Sequence, residues 1–369
     1  MKTLRRVTIG LVAIVALLFI FGRPVVWVQA ALIMWDIAAG GAPTLWQEVT
    51  GQPRDYPTRW GDGEGDLYLP AGKARAAMVL VPGAAVLGRD EPRLKALART
   101  FARAGFAVLV PELPEVRRLA LSRADGGRVA SALRQLGKWQ RDVPLGVAAI
   151  SYAVAPAVIA ALEDDLTSRV AFLVSIGGYH DITAAIRFIT TGVFRPMGES
   201  REFRIEPKNY GRWAFLHANA SRLDNAADAR LLQEIAYRRF RDADADIAPL
   251  SAALGPQGRA VLAVVDNRDP DAVAVLIAAL PESVRREIDG LNLALYDLSK
   301  LRGHLILVHG RGDPMVPYSE SLSLAASASG ARVSLFLVDD IGHVEFNAVS
   351  LENAWTMAQA IVSLLGERL

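Results

Sequence analysis

Leu145-Gly-Val-Ala-Ala-Ile150-Ser151-Tyr-Ala-Val154 reads as a buried strand, a sharp turn and the opening of a helix. Leu145 to Ile150 is built only of apolar and small residues, the pattern of a strand covered on both faces in a parallel sheet. Ser151 follows at once, and Tyr152 to Leu162 then has helical composition. A serine on a strand-to-helix turn presents its hydroxyl at the sheet edge, with a helix N-terminus aimed at it. Taken alone it is also an ordinary helix N-cap. Alanines at 149 and 153 are the smallest side chains short of glycine, so a crowded turn can form there with some added strain.

The same alternation extends in both directions. Upstream, Asp66 to Leu69 is a short strand candidate closed by Pro70-Ala-Gly72, and Ala76 to Val81 is a continuous apolar run ending at Pro82-Gly83. Pro92 to Ala104 predicts an amphipathic helix, with Leu94, Leu97, Ala98 and Phe101 at i, i+3, i+4 and i+7 and Gly105 at its end. Phe106 to Val110 is a strand stopped by Pro111, and residues 125–140 form a helix with Val129, Leu133, Leu136 and Trp139 on one side. Downstream, Val170 to Ile176, Leu305 to Val308 and Val333 to Val338 are further strands, and Ala354 to Leu365 is a closing helix. Repeated strand–helix units of this size predict an α/β fold with a mostly parallel central sheet flanked by helices. Between Asp181 and about Leu301 the alternation weakens into mainly helical sequence, for example Ala229 to Arg241 and Asp271 to Ile288. That stretch lies between two core strands and reads as an inserted cap. The expected organisation is an N-terminal segment 1–40, core 41–180, cap 181–301 and core 302–369.

Two other residues fall just past strand ends. Asp313, in His309-Gly-Arg-Gly-Asp313-Pro-Met-Val-Pro317, follows Leu305–Val308; a carboxylate there can hold an imidazole in one tautomer, or can simply be a turn aspartate before proline. His343, in Asp339-Asp-Ile-Gly-His343, follows Val333–Val338, where a general base would reach a serine at the carboxyl edge of the sheet. Of the five histidines, His180 and His217 precede Asp313, His304 begins a strand and His309 holds the Asp313 loop, so His343 is the candidate base. Ser151, Asp313 and His343 thus form a candidate catalytic set. The amides of Ala84, in Pro82-Gly-Ala-Ala85 after the strand ending at Val81, and of Tyr152 are the candidate oxyanion donors.

These features together resemble the α/β-hydrolase superfamily over about residues 61–369, the cap excepted. The segments that carry the resemblance are Met78–Gly83, Phe106–Pro111, Ala149-Ile-Ser-Tyr-Ala153, Leu305–Gly310 with Asp313 and Val316-Pro317, and Gly342-His343. The sequence departs from the family pattern in having Pro82-Gly83 where His-Gly is common, and alanine for glycine on both sides of Ser151. The resemblance implies a serine hydrolase cleaving an ester or related acyl bond through an acyl-enzyme, with no cofactor and no metal. Two alternatives stay open: an acyltransferase using the same triad, and a non-catalytic, membrane-tethered scaffold. In the cap, Trp213, Phe215 and Leu216 are candidates either for an acyl pocket or for the cap's own core.

The N-terminus predicts a membrane partner. Lys2, Arg5 and Arg6 precede an apolar stretch from Val7 to Gly22, then Arg23-Pro24 intervenes, and a second apolar stretch runs from Val25 to about Ala39. The first stretch, roughly 16 residues, is short for a span. One reading is a signal peptide cut after Val28-Gln-Ala30; a second, favoured by the length of the apolar run and the position of Arg23, is a retained N-terminal hydrophobic helix with the second stretch in or near the interface; a third is a buried core helix. The cationic start predicts a cytoplasmic N-terminus and an exported catalytic domain, periplasmic or extracytoplasmic. A formal charge of +2 spread over 369 residues gives no reason to expect a nucleic-acid partner, and the absence of cysteine excludes disulfides, thiolate catalysis and cysteine-bound zinc. Asp242-Ala-Asp-Ala-Asp246 lacks the glycine and glutamate of a calcium loop and reads as a solvated turn. Nothing in the sequence indicates the oligomeric state.

Overall fold

A computed structural model of the protein describes residues 24–120, 122–339 and 350–368. Its strands are β1 (Arg54–Trp60), β2 (Gly63–Leu69), β3 (Ala76–Val81), β4 (Phe106–Pro111), β5 (Leu145–Ile150), β6 (Val170–Ile176), β7 (Val193–Phe194), β8 (Phe203–Arg204), β9 (His304–Gly310) and β10 (Arg332–Val338). The principal helices are α1 (Pro24–Ala39), α2 (Pro92–Arg103), α3 (Ala124–Trp139), α4 (Val154–Ala161), α5 (Ile182–Thr191), α6 (Asn209–Asn219), α7 (Ala226–Arg241), α8 (Pro256–Val265), α9 (Val273–Ala278), α10 (Glu282–Leu291), α11 (Ser319–Ser327) and α12 (Leu351–Gly366).

Eight strands form one sheet in the order β1-β2-β4-β3-β5-β6-β9-β10, while β7 and β8 pair apart from it. β1–β2 and β2–β4 are antiparallel, and every later pairing in the sheet is parallel. The expected α/β architecture with a mostly parallel sheet is therefore the observed one. β3 explains why the strands read as unbroken apolar runs. Ala77, Val79 and Val81 pack into the core on one face, and Ala76, Met78 and Leu80 into the core on the other. With period two and both faces covered, no position is left for a polar residue. One core includes residues of α3 and α4, the other residues of α1, α2 and α12.

Three elements differ from expectation. β1 was not anticipated, because Arg-Asp-Tyr-Pro-Thr-Arg-Trp has no apolar alternation and is mostly exposed; it is an edge strand, where Pro57 is tolerated. The single helix expected over Asp271–Ile288 is two, α9 and α10, separated at Pro281. The helix expected from Tyr152 opens with a tight turn, Ser151–Ala153, before α4 begins at Val154.

The second apolar stretch of the N-terminus is helix α1, and it belongs to the folded domain. Ala30 and Ile33 enter the core, and the Trp27 ring stacks on Trp355 of α12 at 4.5 Å. The buried Asp36 carboxylate accepts hydrogen bonds from Thr44 and Thr100 hydroxyls at 2.5 Å each and from Gln47 Nε2 at 2.8 Å. No helix among the described residues is long and apolar enough to cross a membrane, and the stretch Val7–Gly22 lies outside them. Between β6 and β9 the chain runs through α5–α10, whose inner residues, among them Trp213, Leu232, Ile235 and Ala236, form a third, separate core.

Candidate active site

Ser151 stands at the carboxyl end of β5 with φ of +56°. It is one of two non-glycine residues with positive φ among those described. L-residues avoid this region because the side chain crowds the following carbonyl, at a cost of about 1–2 kcal/mol. The strain is held by what surrounds it. Ala149 and Ala153 on either side are fully buried, and Gly178 after β6 approaches so closely that a Cβ there would lie 2.5 Å from Val154. The departure from glycine at 149 and 153 therefore does not prevent the turn. Alanine is small enough to fit, and Ser151 takes the left-handed backbone itself.

The loop after β3 lies beside this turn. A Cβ on Gly83 would meet the Ile150 carbonyl oxygen at 3.2 Å, a tight contact that glycine avoids as the loop packs against the end of β5. Ala84, the proposed oxyanion donor, is the next residue and is half-buried. Tyr152 is anchored by its side chain. Its hydroxyl accepts from the Ser122 amide at 2.8 Å and donates toward Asp125 Oδ2 at 3.4 Å. Burial raises the Tyr152 phenol, and the Asp125 carboxylate pushes it further. Burial also raises Asp125, to about 6, against the opposing pull of Arg128 at 3.0 Å and of the Tyr152 hydroxyl.

Asp313 is 1% exposed, in the loop after β9. Its Oδ1 accepts from the amides of Met315 at 2.8 Å and Val316 at 3.1 Å, which fixes the carboxylate and folds Met315 and Val316 back over it. His309 holds this loop, as its position in the sequence suggested. Nε2 lies 2.9 Å from the Val316 carbonyl, which can only accept, so Nε2 carries a proton, and it is 3.6 Å from Asp313 Oδ2; Nδ1 is 2.7 Å from the Ser321 hydroxyl. The other described histidines are placed as follows. His304 starts β9 with Nδ1 2.7 Å from Glu367 Oε1, and Nδ1 of His217 lies 3.2 Å from the Gln233 carbonyl. His180 is lowered by burial, and the Glu320 carboxylate that accepts its amide is itself raised by burial to about 7. His343, the proposed base, lies outside the described residues.

Ser151 and the Asp313 loop meet at one cavity of about 240 Å³ between the sheet edge and the cap. From the core it is lined by Ser151, Tyr152, Tyr179, Met315 and Val316. From the cap, α5 contributes Ile182, Ala185, Ile186 and Ile189, and α8 and α10 contribute Val261, Val264, Val284 and Ile288. Of the three cap residues singled out in the sequence, Phe215 and Leu216 line the cavity, whereas Trp213 is buried in the cap's own core. The face of α5 was missed. Its spacing at 182, 185, 186 and 189 behind the N-cap Asp181 is a helical stripe that could have been read. Arg212 also lines the cavity and was not anticipated. Asp242–Asp246 is a surface turn closed by its own side chains, and no group of residues able to hold a metal ion occurs among the described residues.

No protein-family model and no curated protein matches the sequence. Among solved structures the chain is similar to an acylaminoacyl peptidase from Pyrococcus horikoshii, at 12% identity over 85% of this chain and 40% of that one, with a TM-score of 0.45. It is also similar to dienelactone hydrolase from Anabaena variabilis, at 15% identity over 85% and 97% of the two chains and a TM-score of 0.43. A third is an esterase of the bacterial hormone-sensitive lipase family, at 14% identity over 91% and 97% and a TM-score of 0.47. The chain spans about 40% of the length of the peptidase.

Proposed function

We propose that the protein is a serine hydrolase acting on an ester or closely related acyl bond. The observation that carries this reading is Ser151 held at φ of +56° between β5 and α4, facing an apolar cavity that the Asp313 loop also lines. Backbone strain of this kind persists where the surrounding fold over-determines it, and it places the hydroxyl where a substrate can reach it. In the reaction, Ser151 Oγ attacks the acyl carbonyl while His343 takes its proton. Asp313 accepts a hydrogen bond from the other ring N–H of His343 and stabilises the imidazolium that forms. The amides of Ala84 and Tyr152 bind the developing oxyanion, and His343 returns the proton to the leaving alcohol. Water, activated by His343, then hydrolyses the acyl-enzyme. The cap supplies the isoleucine and valine walls that receive the acyl group. Ser151→Ala is expected to lower turnover of p-nitrophenyl hexanoate by about 10⁴-fold or more; unchanged turnover would refute the assignment.

We propose also that the N-terminal segment tethers the domain to a membrane with the active site on the exported side. The cationic start and apolar stretch to Gly22 support this, as does the exposure of Val25, Val28 and Trp35 on α1, next to that stretch. Protease treatment of intact spheroplasts is expected to digest the domain; a protected domain would place it in the cytoplasm and contradict the proposal.

A further inference from the structure

The cavity beside Ser151 is apolar except at a few points, and one of them is out of keeping with the rest. Arg212, on α6, lines it and is 5% exposed. Its Nε and Nη1 are sealed from water and make no hydrogen bond among the described residues. The guanidinium carbon lies 5.1 Å from the centroid of the Trp213 ring. The hydroxyl of Tyr179, which lines the same cavity from the core side and is as deeply buried, is likewise without a hydrogen bond among the described residues.

Two other arginines of the cap are treated differently. Arg222, which braces the cap, meets Glu115 at 3.3 Å and Glu287 at 3.6 Å. Arg187 meets Glu202 at 2.6 Å and the Pro270 carbonyl at 3.2 Å. A guanidinium does not neutralise itself by losing a proton, so burying one without a counter-charge is costly. The Trp213 ring face offsets only part of that cost. An apolar side chain of the same volume would suit this wall better, unless the cavity takes a ligand that brings the missing charge.

We infer that the substrate carries a carboxylate, which pairs with the Arg212 guanidinium and accepts a hydrogen bond from the Tyr179 hydroxyl, while its aliphatic stem lies along the isoleucines of α5. The inference rests on the hydrolase reading for its turnover but not for its binding. A planar carboxylate matches the planar donor fork of arginine, and the pairing is strong because the cavity excludes water. The ligand class is therefore an ester of medium length with one anionic end, such as a half-ester of an aliphatic dicarboxylic acid.

The test compares mono-p-nitrophenyl suberate with p-nitrophenyl octanoate, which differ in the terminal carboxylate. The full chain is expected to favour the suberate at least tenfold in kcat/KM. Arg212→Leu is expected to lower that ratio about 100-fold, with Arg212→Lys between. Each ratio is taken within one preparation, so a fraction of misfolded variant cancels. A wild-type ratio at or below one, or a ratio unchanged in Arg212→Leu, would overturn the inference. Calorimetric binding of suberate to the Ser151→Ala chain separates the two claims. Binding that Arg212→Leu abolishes sustains the inference even if neither ester is turned over, in which case the hydrolase reading alone fails. Binding that is absent, or equal for suberate and octanediol, overturns the inference.

Discussion

Ser151→Gly should make the protein more stable than Ser151→Ala does, although both remove the hydroxyl. The comparison isolates the backbone, because each variant loses the same group and only the tolerance of positive φ differs. At φ of +56° an alanine bears a left-handed cost of about 1–2 kcal/mol, which glycine does not. Glycine also gives the unfolded chain more freedom, worth about 0.5–1 kcal/mol against it. The difference leaves Ser151→Gly ahead by about 0.5–1 kcal/mol, or about 0.2–0.3 M in urea midpoint for a chain of this size. Ala153 is the internal control: its φ of −68° is ordinary, so Ala153→Gly should lose stability by a similar amount. The assay is urea unfolding of the three variants followed by tryptophan fluorescence and far-ultraviolet circular dichroism, with coincident transitions required. If Ser151→Gly is no more stable than Ser151→Ala while Ala153→Gly behaves as expected, Ser151 is not held in the left-handed region. The structural argument for a nucleophile would then fail with it.

Further outcomes follow from the same geometry. Ile186→Trp should narrow the cavity and reduce kcat/KM for p-nitrophenyl octanoate by about tenfold or more while sparing the acetate ester; equal losses on both would show that α5 does not receive the acyl chain. The Asp125 carboxyl is raised from near 3.8 to about 6, so the folded state holds its proton more tightly, and stability is lost as pH rises through that window. Asp125→Asn cannot ionise and should gain about 3 kcal/mol on wild type between pH 4 and pH 7, the gap closing toward pH 4; a gap independent of pH would contradict this. Asp36→Ala leaves two hydroxyls and an amide without their acceptor and should cost about 2–4 kcal/mol in urea unfolding, whereas a neutral result would show that α1 is not docked on α2.

How much of this was legible in the sequence depended on whether a residue's neighbours are local. β3, β5 and β9 were readable because a strand covered on both faces must be apolar at every position, and that leaves a continuous run. β1 was not, since an edge strand faces solvent, and Arg54–Trp60 carries no pattern to distinguish it from loop. Ser151 and Asp313 could be located because a strand end can be read from where an apolar run stops. The cavity could not, because it is assembled from α5, α6, α8 and α10, whose spacing in the chain says nothing about their meeting. Trp213 and Phe215 show the limit directly: two residues apart on one helix, one fills the cap's core and the other faces the cavity. Arg212 was invisible for a related reason. An arginine becomes informative only when its partners are seen to be missing.

The central claim is that Ser151 is a nucleophile, and covalent capture tests it most directly. The folded full chain is treated with an alkyl fluorophosphonate, digested, and the adduct is mapped by mass spectrometry. The account predicts one stoichiometric adduct on Ser151, in the peptide that contains Ala149-Ile-Ser-Tyr-Ala153, and none in the Ser151→Ala chain. An adduct on another residue, or no adduct on a chain shown to be folded, would contradict it.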